Sequence, residues 1–162
     1  MNAGLWSVTA TAAAVGSGVV GGVLYGFSAF VMRGLDATSP GTAVATMQEI
    51  NRAAPRGPLM VPLLGTALLC VLLAVRAVVD LRRDGGSTPW WVLAGCALYL
   101  TAFVITAAYH VPRNDALMSV DPTGAGAAAA WQDYVGGWVR WNHVRAAAAI
   151  AGSASFVVSL LR

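Results

Sequence analysis

Charge is the first thing this chain lacks. Only 10% of its 162 residues are Asp, Glu, Lys or Arg, where a soluble domain carries roughly 25%. Lysine is absent, so all 10 basic residues are arginine, set against 7 acids for a net charge of +3. No basic run exceeds Arg82-Arg83, which argues against a nucleic-acid surface. Cysteine is nearly absent too. Cys70 and Cys96 lie inside apolar runs and form no CxxC, so they read as small buried hydrophobes rather than a disulfide or metal pair. There is no HxxxH or HExxH, and the glycines of the first span belong to no strand–turn–helix nucleotide motif.

What is present is apolar. Residues of the AVILMFWYC set make up 57% of the chain, and the mean hydropathy is +0.66. Seventeen charges cannot cover a soluble sphere of this size, so the composition points to an integral membrane protein.

Four uncharged runs carry that reading. Met1 to Met32 is far longer than a signal-peptide core of roughly 7–15 residues and lacks a basic leader. The runs Gly57–Val75, Gly85–Tyr109 and Ala146–Leu161 follow, the second and third opening near prolines, Pro58 and Pro89. The last run has only 16 residues, about 24 Å of helix against a hydrocarbon core of ~30 Å. Its helix must begin upstream and carry Asn142, His143 and Arg145 to the membrane boundary. The expectation is an all-α, single-domain four-helix bundle over residues 1–162, with spans at about 5–31, 58–79, 89–109 and 142–161.

Alternation then sorts the connections. The first linker (Arg33–Arg56) and the third (His110–Trp141) cap one end, while the termini and the Asp80–Asp84 turn lie at the other. Glu49, Asn51, Arg52, His110, Arg113, Asn114, Asn142, His143 and Arg145 therefore share a face, and that end reads as the functional one. Arginines occur at both ends, so the positive-inside rule leaves orientation in the cell membrane open.

Ala10, Ala14, Gly18, Gly22 and Gly26 recur every four residues, a strip along which another helix can approach closely. Contact inside the bundle is the favoured use; a homo-oligomer seam through Ala14, Gly18, Gly22 and Gly26 is the alternative. In the first linker, Thr42 to Arg52 reads as a short helix whose tail carries Glu49, Asn51 and Arg52. In the third, Pro112 predicts a break after Tyr109-His110. Trp131, Tyr134, Trp138, Trp141 and Arg145 then advance by three, four, three and four, which sets four aromatics and an arginine on one stripe. An interfacial belt explains one or two such rings. Four of them running into Asn142, His143 and Arg145 suggest the wall of a flat aromatic pocket.

Four short stretches, in order, are Gly22-Val-Leu-Tyr-Gly-Phe-Ser-Ala-Phe-Val-Met32, Met47-Gln-Glu-Ile-Asn-Arg52, Val111-Pro-Arg-Asn-Asp-Ala-Leu117 and Trp138-Val-Arg-Trp-Asn-His-Val-Arg145. With the four spans, they resemble the anthrone oxygenase-like family of small membrane proteins. The resemblance implies oxidation of anthrone-type polyketides by molecular oxygen, without flavin, haem or a defined metal. It matches Asn51 and Arg52 to the polar end of the first linker, Asn114 to a proline-x-asparagine motif, and Trp138, Asn142 and Arg145 to a tryptophan and a polar residue–x–x–arginine pattern. It departs at Asn142, where the pattern implies histidine; His143 lies one place later, on another azimuth.

Expectations for the site follow. His143 or His110 would act as base, and Arg145 with Asn142 or Asn114 would donate to the enolate oxygen. Trp131, Tyr134, Trp138 and Trp141 would supply flat walls, with Asn51, Arg52 and Glu49 closing the end. No metal or cofactor is expected, oxygen being a co-substrate. The partners expected are a hydrophobic aromatic small molecule and membrane lipid, not nucleic acid. Two alternatives stand beside this reading: a non-enzymatic membrane module that binds a hydrophobic ligand or partner, and a copper- or iron-dependent membrane oxygenase.

Overall fold

The computed structural model describes residues 3–83 and 86–162, so the Asp84 end of the expected turn lies outside the described residues. It is 89% helical, with no strand among those residues. Four helical units are long and apolar enough to cross a membrane: Gly4–Asp36, Met60–Arg83, Thr88–Met118 and Ala127–Leu160. The first comprises α1 (Ala3–Gly26), a π-helical stretch Phe27–Val31, and α2 (Met32–Asp36). Next come α3 (Pro40–Ala53), a 3₁₀ turn at Ala54–Arg56, and α4 (Met60–Arg83). The third unit comprises α5 (Thr88–Ile105), a second π-helical stretch Thr106–His110, and α6 (Val111–Met118). The fourth, α7 (Ala127–Leu160), is a single helix of 34 residues.

The four units pack as a ring, α1 and α5 each lying against α7 and α4. Small residues permit the closest approaches. A methyl added at Gly21 would stand 2.8 Å from Ile150 Cγ1 and 3.1 Å from its main-chain nitrogen. Hydroxyls stitch the same seam, Ser17 donating to Ala149 O at 2.7 Å and Ser153 to Ala14 O at 2.8 Å. Of the predicted strip, Ala10 and Ala14 are buried and Gly18 faces Ser153, whereas nothing lies within 4 Å of a methyl built at Gly22. The strip thus serves the bundle along its first half. Cys70 and Cys96 are both buried free thiols in the core that α4 and α5 share with Tyr99 and Phe156.

Pro112 does not break the third unit. Its ring would clash with a regular turn before it, and the missing N–H would leave a carbonyl unmatched. The π-helical stretch that ends at His110 widens that turn, and Pro112 then occupies the first turn of α6. The fourth helix starts at Ala127, upstream of the last uncharged run, and takes in the whole aromatic stripe. At 1.5 Å per residue its 34 residues reach about 51 Å, so the aromatic-bearing first third projects past a ~30 Å core.

Onto that projection folds α3. Ser39 caps it, its hydroxyl accepting from Thr42 N at 3.3 Å, and Pro40 takes the first turn. Met47, Val44 and Ala43 are buried in a cluster with Met32, Leu117, Trp131, Tyr134 and Trp138. Gln48 fastens the helix down by donating to Leu117 O at 2.9 Å and Val120 O at 2.8 Å. Those carbonyls close α6, so a single buried amide joins the first linker to the third.

Candidate functional site

The α7 stripe lies in the bundle as its spacing predicts, except at one ring. Trp131, Tyr134 and Trp138 are 2–4% exposed, while Trp141 is 41% exposed and meets Tyr109 at 5.5 Å between centroids. Each buried ring is oriented by a polar tip. Trp131 Nε1 donates to Asp36 Oδ1 at 2.8 Å. Tyr134 OH and Trp138 Nε1 both donate to Asn114 Oδ1, at 2.8 and 3.0 Å. Asn114 therefore uses its carbonyl to hold two of the flat walls.

Deeper along α7 lies a second polar group. Asn142 Nδ2 donates to Leu24 O at 2.7 Å and Ser28 Oγ at 2.6 Å. Its Oδ1 accepts from Arg145 Nη2 at 2.5 Å, and Arg145 Nη1 donates to Thr106 Oγ1 at 3.1 Å. Ser28 and Thr106 belong to the two π-helical stretches, which flank α7 at this level. Such stretches recur at functional sites because the widened turn redirects side chains. The Arg145 guanidinium carbon lies 5.6 Å from the Trp138 ring centroid.

Arg145 is 5% exposed, and no carboxylate pairs with it among the described residues. Its Nε is buried without a partner. A permanent cation so placed costs several kcal/mol in desolvation unless something neutralises it. The fork is held by Asn142 and Thr106, both neutral, so the positive charge is oriented but not cancelled.

The histidines are placed differently from each other. His110 is 1% exposed, and its Nε2 lies 3.2 Å from Trp138 O and its Nδ1 3.4 Å from Ile105 O. Both ring nitrogens thus face main-chain carbonyls, and the ring packs edge-on against Trp138 at 5.1 Å. His143 is exposed on the outer flank of α7, off the face that carries Asn142 and Arg145. Among the described residues, no three His, Cys, Asp or Glu side chains come together as a metal-ligand group.

On α3, Glu49 and Arg52 are exposed and pair with each other. Asn51 is half-buried beside the Tyr134 hydroxyl, its Nδ2 buried without a partner. Of the three, only Asn51 joins the aromatic face. Ser28, Thr106, Gln48 and Asp36 were not foreseen from sequence. Ser28 and Thr106 did offer a signal, as isolated hydroxyls within apolar spans.

The family model described as anthrone oxygenase matches residues 53–155, more than half of the chain. The chain belongs to the anthrone oxygenase family. The family match takes in Asn114, Trp138, Asn142 and Arg145 and begins just after Asn51 and Arg52. No curated protein and no solved structure matches the chain. Within this anthrone oxygenase family member, the matched segment runs from the end of α3 through most of α7, which contains every partner of Arg145.

Proposed function

We propose that this chain is an oxygenase of the cell membrane that converts a flat, hydrophobic anthrone-type ketone to the corresponding quinone with molecular oxygen. The observation that carries the reading is Arg145, a buried cation with no carboxylate partner and its Nε–H unclaimed. Such a group favours an anion, and the enolate of an anthrone is a flat apolar body with its charge centred on one oxygen.

The chemistry follows from that placement. A water molecule drawn from the bulk takes one proton from the CH₂ between two aryl rings, and Arg145 Nε–H donates to the oxygen of the enolate that results. The enolate carbon is electron-rich enough to react directly with oxygen, forming a C–O bond and a peroxide anion. Protonation gives the hydroperoxide. Loss of the second proton from that carbon, with cleavage of the O–O bond, leaves a ketone and one water. Overall, R₂CH₂ and O₂ become R₂C=O and H₂O, with carbon the only centre oxidised. The reading assigns no step to a metal or an organic cofactor.

Each residue then has a task. Arg145 stabilises the enolate and so acidifies the bound ketone, while Asn142 and Thr106 aim its fork. Trp138, Tyr134 and Trp131 provide the flat walls, held by Asn114 and Asp36. In this reading His110 is a strut that ties the second π-helical stretch to α7, donating from whichever ring nitrogen carries its proton to Trp138 O or Ile105 O. Since α3 covers the aromatic face, substrate is admitted when α3 lifts from α7. A lipid-soluble substrate reaches such a site from the bilayer.

The test uses the full chain in nanodiscs with anthrone, following oxygen consumption and anthraquinone absorbance. Anthrones oxidise slowly unaided, so the expected result is turnover well above empty nanodiscs that falls to the empty-disc rate in Arg145→Met. A wild-type rate equal to that of empty nanodiscs would sink the proposal.

A further inference from the structure

The proposed reaction makes one water per turnover and moves protons off and back onto the substrate, yet Arg145 lies in an apolar bundle. A cleft of about 110 Å³ opens between α6 and α7, with Ala116 and Ala130 on its two sides. Its polar lining is Arg113, Asp133 and Tyr134. Resting on the reading above, we propose that this cleft is the aqueous port of the site, through which product water leaves and protons exchange with the bulk.

Three features favour water over another occupant. The volume suits three to four water molecules at ~30 Å³ each. Arg113 Nε is buried without a partner and needs a hydrogen-bond acceptor, which a water supplies. An anion is disfavoured, because Asp133 Oδ2 already stands 3.3 Å from Arg113 Nη2 and balances its charge. The guanidinium is fixed by Asp133 O at 2.6 Å and by the Tyr109 ring at 5.8 Å from its centroid. The cleft is therefore built rather than left over.

Its two ends differ in exposure. Asp133 has 79% of its side chain exposed and marks the mouth. Tyr134 is 3% exposed and forms the inner wall. Its hydroxyl shares Asn114 Oδ1 with the indole of Trp138, the ring on which Arg145 rests. No residue of α3 lines the cleft. The port thus stays open while α3 covers the aromatic face, which lets water leave without releasing substrate.

Two measurements test this on the full chain in proteoliposomes. In Ala130→Cys, a charged, membrane-impermeant methanethiosulfonate applied from each side in turn is expected to label the new thiol, with Val157→Cys on the lipid face as the unlabelled control. The native thiols are buried and stay silent. Filling the cleft with Ala130→Leu or Ala116→Leu is expected to lower kcat for anthrone at least fivefold with KM unchanged. An unlabelled Ala130→Cys, or wild-type kcat in folded Ala130→Leu and Ala116→Leu, overturns the port. If wild-type protein does not oxidise anthrone at all, the reaction falls and takes the port's role with it, while labelling still decides whether the cleft is aqueous.

Discussion

Arg145 Nη2 donates to Asn142 Oδ1 at 2.5 Å from one turn further along α7. Asn142 is itself tied through Nδ2 to Leu24 O and Ser28 Oγ on the first unit. The orientation of the buried cation is thereby inherited from a helix 118 residues away in sequence. Because Asn142 is neutral, it aims the charge without cancelling it.

Asn142→Asp is expected to keep the fold and lose the activity. A carboxylate at this position pairs with Arg145 internally and leaves no charge for an enolate; Ser28 can still donate to it, while Leu24 O loses the side-chain donor it has in the wild type. Turnover should fall on the order of 10²-fold, the scale of losing one oxyanion donor. Anthraquinone formation and thermal unfolding, measured on the same sample, check both halves. Retained turnover in a folded variant would show that Arg145 does not need its free charge.

Arg145 itself separates site from anchor. Lysine carries its three donors on a single nitrogen, which cannot stand at once where Nη1 meets Thr106, Nη2 meets Asn142 and Nε–H is free. Arg145→Lys should therefore insert and fold normally yet lose about 10²-fold in turnover. Arg145→Met removes an unpaired buried charge and with it that charge's desolvation cost. The expected outcome is an inactive protein whose Tm equals or exceeds that of the wild type. A marked fall in Tm would make Arg145 a structural residue.

Gln48 is expected to matter for the closure of α3 rather than for chemistry. Gln48→Leu keeps the bulk but strands the carbonyls of Leu117 and Val120, at about 1–3 kcal/mol for an unsatisfied buried group. Hydrogen exchange should rise across α3 and the Leu117–Val120 turn, with α4 and α5 unchanged. Uniform protection before and after the substitution would mean that α3 is held by its apolar face alone.

His143 faces outward, so His143→Ala should leave turnover within about twofold and stability within about 0.5 kcal/mol, as at other surface positions. Exhaustive chelation should leave the activity of the wild-type protein intact. Loss on chelation, restored by copper or iron, would reassign the chemistry to a metal.

The bundle places Glu49 and Arg82 at opposite ends. Single cysteines at these exposed positions are expected to react with an impermeant thiol reagent from opposite sides of a sealed vesicle. Labelling of both from one side would contradict the topology.

Much of this arrangement was legible in the chain itself. Hydropathy adds up residue by residue, so four uncharged runs were enough to count the spans and to place Glu49, His110 and Arg145 at one end. Helical periodicity put Trp131, Tyr134 and Trp138 on one stripe, because steps of three and four return to the same azimuth in any α-helix. The 16-residue final run forced its helix to begin upstream and draw Arg145 inward. These are properties of one helix at a time.

The rest required neighbours. The π-helical turns that carry Ser28 and Thr106 and let the chain pass through Pro112 arise from backbone accommodation, which no residue pattern spells out. Trp141 continues the stripe in sequence but faces outward, since burial depends on whether another helix covers that turn. Gln48 resembled an ordinary linker amide until α6 brought two carbonyls to it. Whether His110 has a nitrogen to spare and whether Arg145 has a counter-ion are likewise decided by groups 28 to 39 residues away. Sequence determined which side chains enter the membrane, because transfer from water is a local cost. Tertiary structure decided which of them are satisfied there, because a hydrogen bond needs a partner that the chain brings back from elsewhere.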